Sequence, residues 1–355
     1  MFDVIAVTEP ALIDAVFEGI APENQPDLAA LINAPHLREW QLVDAATQQR
    51  VIKYCEKMGH RPQFAAGEQL TNTLYNLAVV AQQAVTLPPL SSPSPENAIA
   101  SDKPLYLGLV SKIGYDAHGK HYAQQLHNVG IDLSYTPFAA GDTGLCASLQ
   151  FSEGPLPKAM FTRLSSFQTL QHRSIQQLEA ICAHTRYLLI EGYLMGSESN
   201  ATHQVLQIAR YAQSHHNPQL RIGLTLSAQK VANAFDWAWV RDHFDLIAAN
   251  EEEYNALLSR QVSFDELHDL IDPQRKKILL YTQGKHGAIL TRKDEIAHIS
   301  PPNIAPQEVI DVTGAGDAFL AGVLYGLLQN MPLHTCGNIG TAIAACIVQM
   351  RGARL

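Results

Sequence analysis

Along most of the chain, short apolar runs alternate with stretches in which apolar residues recur at helical spacing. Such runs are too short for helices, and their alternation with amphipathic segments predicts strand–helix–strand units, hence an α/β fold. Strands are expected at Asp3–Val7, Leu105–Ser111, Tyr187–Ile190, Ile222–Leu226, Leu246–Ala249, Lys277–Tyr281 and Ala288–Thr291, and a helix at Glu251–Leu258. Leu188-Leu189-Ile190 and Ile278-Leu279-Leu280-Tyr281 are apolar on both faces, as central parallel strands require. Residues 87–104 break the pattern. They carry five prolines and four serines without periodicity, which predicts an exposed, flexible loop of the tolerated-insertion kind.

Composition narrows the picture. The chain has 355 residues, 46% hydrophobic and 17% charged, enough for one large core or a core plus a small domain. A formal net charge of -9 disfavours a nucleic-acid-binding face, so any phosphate must be held locally by backbone amides and a metal. The amino terminus lacks the basic start and apolar core of a secretory signal, and no apolar run is long enough to cross a membrane. Five scattered cysteines, without a Cys-x-x-Cys pair, are expected as buried thiols of a cytoplasmic protein. His118, His121, His215 and His216 read as surface or capping residues at helix ends rather than metal ligands.

The sharpest chemical feature is Asp311-Val312-Thr313-Gly314-Ala315-Gly316-Asp317-Ala318-Phe319, running into the helical pattern of Leu320–Gln329. Gly314, Ala315 and Gly316 let backbone N–H groups approach an anion closely, and the positive end of the helix adds to the attraction. Asp317, in the first helical turn, is placed to take the proton of an attacking hydroxyl beside a phosphoryl group. In isolation Gly-x-Gly-Asp is equally a tight turn with an acidic helix start. Phe319 stands where a dinucleotide fingerprint needs its third glycine. Gly114–His121 has P-loop spacing until its last position, where His121 replaces the magnesium-holding hydroxyl, so it is set aside.

Two further elements lie downstream of expected strands. Asn250-Glu251-Glu252-Glu253 begins a helix at a strand end, where ligands sit in open α/β sheets. Asn250 and Glu253 can supply oxygen ligands, directly or through water, to the Mg2+ that accompanies a nucleoside triphosphate. Thr282-Gln283-Gly284-Lys285-His286-Gly287 joins two strands, with glycines that let the chain pass close to a nucleotide.

Taken in order, these three elements resemble those of the ribokinase-like (PfkB) family of carbohydrate and nucleoside kinases. The resemblance implies a central mainly parallel sheet flanked by helices, with a small β lid built near residues 8–45 and 104–170 of a single 355-residue unit. It implies that Gly314, Ala315 and Gly316 form an anion hole, that Asp317 is the catalytic base, and that Asn250 and Glu253 organise Mg2+. Thr282, Gly284 and Gly287 would line the ATP site. On the substrate side, Asp14 matches the residue that holds substrate hydroxyls, and Gly67-Glu68-Gln69-Leu70-Thr71-Asn72 matches a Gly-Gly-x-x-x-Asn segment, which assigns Gly67 and Asn72 to substrate binding. Glu68 departs from that pattern. Val110–Asp116 is similar to the following strand and turn, and Thr143-Gly144 to the start of a lid strand.

Ile190–Leu194, Leu224–Ser227 and Gly352-Ala353-Arg354 look most like the adenosine-kinase branch, although Lys158 stands where those relatives carry Arg. The expected activity is ATP-dependent phosphorylation of a small molecule, the 5'-hydroxyl of adenosine or a related purine nucleoside, as in purine salvage, by a monomer or homodimer. Ribose- or fructose-type sugars, or inosine and guanosine, are the alternative acceptors. A non-catalytic ligand sensor on the same scaffold is the alternative class.

Overall fold

The computed structural model describes residues 1–82, 104–152, 158–166, 172–195, 201–227, 236–274 and 276–355. The expected 87–104 loop lies, but for its last residue, outside the described residues. In chain order the strands are β1 (Phe2–Val7), β2 (Leu12–Ile20), β3 (Trp40–Leu42), β4 (Gln63–Ala66), β5 (Leu107–Val110), β6 (Ile113–Gly114), β7 (Phe138–Ala139) and β8 (Gly144–Phe151). They continue with β9 (Lys158–Arg163), β10 (Thr185–Glu191), β11 (Arg221–Thr225), β12 (Leu246–Asn250), β13 (Ile278–Thr282), β14 (Ala288–Arg292) and β15 (Glu295–Ile299).

Eight strands form the larger sheet in the order β15-β14-β13-β12-β11-β10-β1-β5. Pairing is parallel from β5 to β13 and antiparallel only at the β13-β14-β15 edge, so the fold is the mainly parallel, helix-flanked α/β sheet expected. The seven predicted strands are all present, with ends displaced by one or two residues. β15 was not anticipated, because its central residue pattern leaves Glu295, Ile296 and His298 exposed at the sheet edge.

The helix Ala315–Leu328 is apolar nearly all round, and every residue from Asp317 to Leu328 is buried. A helix of that kind belongs inside a core. It packs between the helices Gln69–Gln82 and Leu333–Val348, which fixes the site-bearing first turn from two sides.

A second sheet of five strands runs in the order β3-β9-β8-β2-β4. Its composition differs from the expected lid spans. β4 lies outside them yet pairs with β2, whereas β5 lies inside them yet belongs to the larger sheet. The alternating burial of β2 explains its position, since only one face is covered. Among the described residues, no helix is long and apolar enough to cross a membrane.

Candidate active site

Gly314 is the N-cap of the Ala315–Leu328 helix and has φ +77°, a left-handed conformation that side chains rarely adopt. A Cβ there would also strike Ala353, 2.3 Å away. Beyond it the space opens, for a Cβ on Gly316 would meet nothing within 4 Å. The turn thus presents a helix start without a side-chain cap to open space, the geometry that attracts an anion, although the Ala315 N–H already donates to the Val312 carbonyl at 3.2 Å.

Asp317 sits one step inside that turn and is 8% exposed. Burial pushes its carboxyl up to about 8, the nearby Glu191 and Glu253 carboxylates add to the rise, and Asn72 and Arg354 oppose it. Asn72 Nδ2 donates to Asp317 Oδ2 at 3.1 Å, and Asn72 Oδ1 accepts from Arg354 Nε at 2.9 Å. The helix Gln69–Gln82, which carries Asn72, begins against Glu191: the Gln69 N–H donates to Glu191 Oε1 at 2.9 Å. Glu191 is buried and held up to about 7 by desolvation.

Asp14 and Gly67, expected on the substrate side, lie on β2 and directly after β4. Asp14 on β2 is half-buried and lies against Gly67, whose Cβ, if present, would stand 3.0 Å from Asp14 Oδ2. Desolvation raises the Asp14 carboxyl to about 6, with Arg354 pulling the other way. Glu68, which replaces the expected second glycine, keeps a glycine-like backbone at φ +72°. That conformation costs a non-glycine residue about 1–2 kcal/mol. Its side chain turns inward, where Oε2 accepts from Thr71 Oγ1 at 2.8 Å and from the Tyr122 hydroxyl at 2.9 Å. Glu68 therefore preserves the backbone path of the segment rather than filling the cleft, and burial holds its carboxyl well above the usual range.

Asn250 and Glu253 close a capping box on the helix Glu251–Leu257: Glu253 N–H donates to Asn250 Oδ1 at 2.8 Å, and Asn250 N–H to Glu253 Oε2 at 3.0 Å. Both groups thereby spend hydrogen-bonding capacity on the helix start. Among the described residues no cluster of three or more His, Cys, Asp or Glu is placed to hold a metal ion. Mg2+ keeps several waters when it travels with phosphates. The residues fit a hydrated magnesium touched through water by the remaining Glu253 oxygen, and do not fit a direct protein cage. Glu253 is buried and raised to about 7 by desolvation, a carboxyl that an approaching cation would ionise.

Thr282 pairs with Asn250 across β13 and β12, so the second and third predicted elements meet at one end of the sheet. Gly287 has φ +97°, and a Cβ there would collide with the Ile299 carbonyl at 2.1 Å, so glycine is required for the chain to pass β15. Gly284 is also left-handed, at φ +54°.

The structure thus joins Asn72 to Asp317, Asp14 to Gly67, and Asn250 to both Glu253 and Thr282. Among the described residues, no hydrogen bond links Thr282, Gly284 or Gly287 to Asp317. Among residues that sequence reasoning gave no role, Glu191 and Arg354 stand out, and their only signal was that each lay in a quoted segment. The P-loop look-alike is a capped helix: Asp116 Oδ1 accepts from the Gly119 N–H at 2.7 Å and from Thr143 Oγ1 at 2.7 Å. Cys55, Cys146, Cys182 and Cys336 are buried free thiols and Cys346 is half-buried. His215 stacks on Tyr211 at the surface and His121 is exposed.

A mainly parallel α/β sheet, with a glycine-opened helix carrying a buried carboxylate, defines a phosphotransferase of the ribokinase-like fold. The chain belongs to the pfkB family of carbohydrate kinases, whose pattern its residues 106–355 match, and is in that class an ATP-dependent kinase. It is similar to the nucleoside kinase of Methanocaldococcus jannaschii, 33% identical over 113 residues, which are 32% of this chain and 35% of that protein. This match therefore spans about a third of that relative's length. It is also similar to the adenosine kinase of Dictyostelium discoideum, 21% identical over 256 residues, covering 68% of this chain and 72% of that protein. Among solved structures, adenosine kinase from Sinorhizobium meliloti superposes with a TM-score of 0.76 at 18% identity, covering 100% of this chain and 96% of that one. A probable sugar kinase from Rhizobium etli gives 0.72 at 21% identity, covering 99% and 94%. At such identities the structural likeness speaks for the fold.

Proposed function

We propose that the protein transfers the γ-phosphoryl group of ATP to the 5'-hydroxyl of adenosine or a related purine nucleoside. The observation that carries this reading is Asp317: a buried carboxylate in the first turn of a helix whose glycine start faces open space, with one oxygen held by Asn72 and the other left for an acceptor. The acceptor oxygen bonds to the γ-phosphorus as the bond to the ADP oxygen breaks, and the hydroxyl proton passes to Asp317. Charge developing on the phosphoryl oxygens meets the N–H groups of Gly314–Gly316. Bound Mg2+ would supply neutralisation of the nucleotide phosphates, with Asn250 and Glu253 ordering its water. Thr282, Gly284 and Gly287 would border the nucleotide.

Asp14 supports a ribose-bearing acceptor, because a half-buried carboxylate takes two hydrogen bonds from vicinal hydroxyls. The second sheet, as a lid over the cleft, would exclude water and favour transfer over hydrolysis. Similarity to adenosine and nucleoside kinases favours the nucleoside over a free sugar. Adenosine, inosine, guanosine, ribose and fructose assayed with coupled ADP detection test the reading, with the largest kcat/KM expected for adenosine. Faster turnover of a free sugar would overturn the nucleoside assignment, and no acceptor-dependent ADP release would overturn catalysis.

A further inference from the structure

Arg354 makes no contact that the reaction itself requires, yet its buried side chain is tied into the site through Nε and Nη1, while Nη2 has no hydrogen-bond partner. Its Nε donates to Asn72 Oδ1 at 2.9 Å and its Nη1 to Gln125 Oε1 at 3.3 Å. The guanidinium carbon lies 4.7 Å from the centroid of the Tyr75 ring. The backbone around it is clamped as well. Asn76 Nδ2 donates to the Ala353 carbonyl at 2.9 Å, and the Leu355 N–H donates to Asn76 Oδ1 at 2.9 Å. Ala353 in turn fills the space beside Gly314 that a side chain would need. Gln125 Oε1 also accepts from the Ala66 N–H at 2.7 Å, which ties the same guanidinium to β4, beside Gly67.

The consequence follows from donor and acceptor inventory. A guanidinium only donates, so the Asn72 atom facing it must be the carbonyl oxygen. The amide nitrogen is then forced to the other side, where Asp317 Oδ2 accepts from it at 3.1 Å. Without Arg354 the amide could turn over and present its oxygen to the carboxylate, which would favour the protonated acid.

We propose that Arg354 is the positioning residue of the catalytic base: it fixes the orientation of the Asn72 amide, and through that amide keeps Asp317 Oδ2 engaged as a hydrogen-bond acceptor, so that only the other oxygen is left to meet the acceptor's hydroxyl. The inference rests on the reading of Asp317 as the base. The charged groups acting on Asp317 are Glu191 and Glu253, which favour its acid form, and Arg354, which favours its anion. Arg354 itself faces Asp14, Glu68, Tyr75 and Tyr122.

The test compares Arg354→Met, Arg354→Lys, Asn72→Ala, the Arg354→Met/Asn72→Ala pair and Asp317→Asn, with ATP and adenosine, or fructose if adenosine is not an acceptor. In Arg354→Met, kcat is expected to fall about 10- to 100-fold with the ATP KM changed less than about threefold, and the rising limb of kcat/KM to move about one unit to higher pH. Arg354→Lys should recover part of both. The double variant should lose little more than either single one, because both act along one path. Additive losses, or an unmoved pH profile in Arg354→Met, overturn the positioning role while Asp317 stays the base. Near-normal turnover in Asp317→Asn overturns both. Should Arg354→Met turn over too slowly, the pH dependence of its melting temperature relative to Arg354→Met/Asp317→Asn reads the proton on Asp317 without turnover. The same pH dependence as for wild type relative to Asp317→Asn then overturns the proposal.

Discussion

On the proposed reading, the phosphoryl and acceptor ends of the cleft are made of different material. The phosphoryl end is largely backbone, the helix start at Gly314–Gly316 and the turn at Gly284–Gly287, with the Asn250 and Glu253 side chains beside it as a capping box. The acceptor end is a mesh of buried side chains, with Asp14, Glu68, Asn72, Tyr122 and Arg354 drawn from positions hundreds of residues apart. Backbone recognises any phosphate in the same way and asks little of the rest of the chain. A side-chain mesh recognises one acceptor and fails when any member is lost, since each buried polar group left alone is costly.

Asp317 is the residue the two ends share, so its replacement should have the largest effect. Asp317→Asn retains shape and can still accept from Asn72 Nδ2, but it cannot take a proton from an acceptor hydroxyl. We expect kcat to fall by about 10² to 10⁴ while ATP binding changes little. Titrating ATP by calorimetry alongside single-turnover assays separates the two quantities. Turnover close to wild type would remove Asp317 from the chemistry and leave the two ends unconnected.

The next effect belongs to the acceptor end alone. Asp14 lies against Gly67, and a substrate lacking one vicinal hydroxyl leaves its carboxylate underpaired. An unmet hydrogen bond to a charged group costs about 1.5–3 kcal/mol, so 2'-deoxyadenosine should show a kcat/KM lower than that of adenosine by roughly 10- to 150-fold. In Asp14→Ala the ratio should shrink towards one, with adenosine slowed and ATP parameters unaffected. If the ratio is the same with and without Asp14, the residue does not sense the ribose.

This contrast also decides what could be read from the sequence. All strands of the larger sheet but β15, and the Gly314–Asp317 turn, were legible because each is written in adjacent residues: apolar runs for the strands, and small residues before a helical pattern for the turn. The make-up of the second sheet was not, since β4 joins β2 by long-range pairing that no local pattern encodes. Arg354 was visible only as part of Gly352-Ala353-Arg354, because its work depends on Asn72, 282 positions away in sequence. Glu68 looked like a defect in its segment. Its left-handed backbone and the partners Thr71 and Tyr122 show that the chain path survives the substitution.

The smallest predicted effect lies in stability, to which buried carboxyls at both ends contribute in the same sense. Burial pushes the Asp14 carboxyl up to about 6, those of Glu191 and Glu253 up to about 7 and that of Asp317 up to about 8. In the unfolded chain such groups titrate near about 4. Between those limits the folded protein binds more protons than the unfolded one, so the free energy of unfolding falls as pH rises. The stability that the neutral carboxyls permit is complete below about pH 4 and is lost progressively as pH passes through 6, 7 and 8. Asp311 and Asp116 act in the opposite sense, since burial is outweighed by hydrogen bonds from the Thr313 side chain and backbone at Asp311, and from the Gly119 N–H and the Thr143 hydroxyl at Asp116, which hold them low, but their contribution is lost only in acid below about pH 4. The ligand-free protein should therefore melt roughly 5 °C lower at pH 8.5 than at pH 5.5. Glu253→Gln, which removes one of these charges at the phosphoryl end, should flatten that slope, and millimolar Mg2+ with ATP should flatten it further by pairing with the anions. Scanning calorimetry across that range checks the sign directly. A melting temperature that rises with pH would show that the cluster is ionised and paired in the folded protein, and the acid-poised base would have to be abandoned.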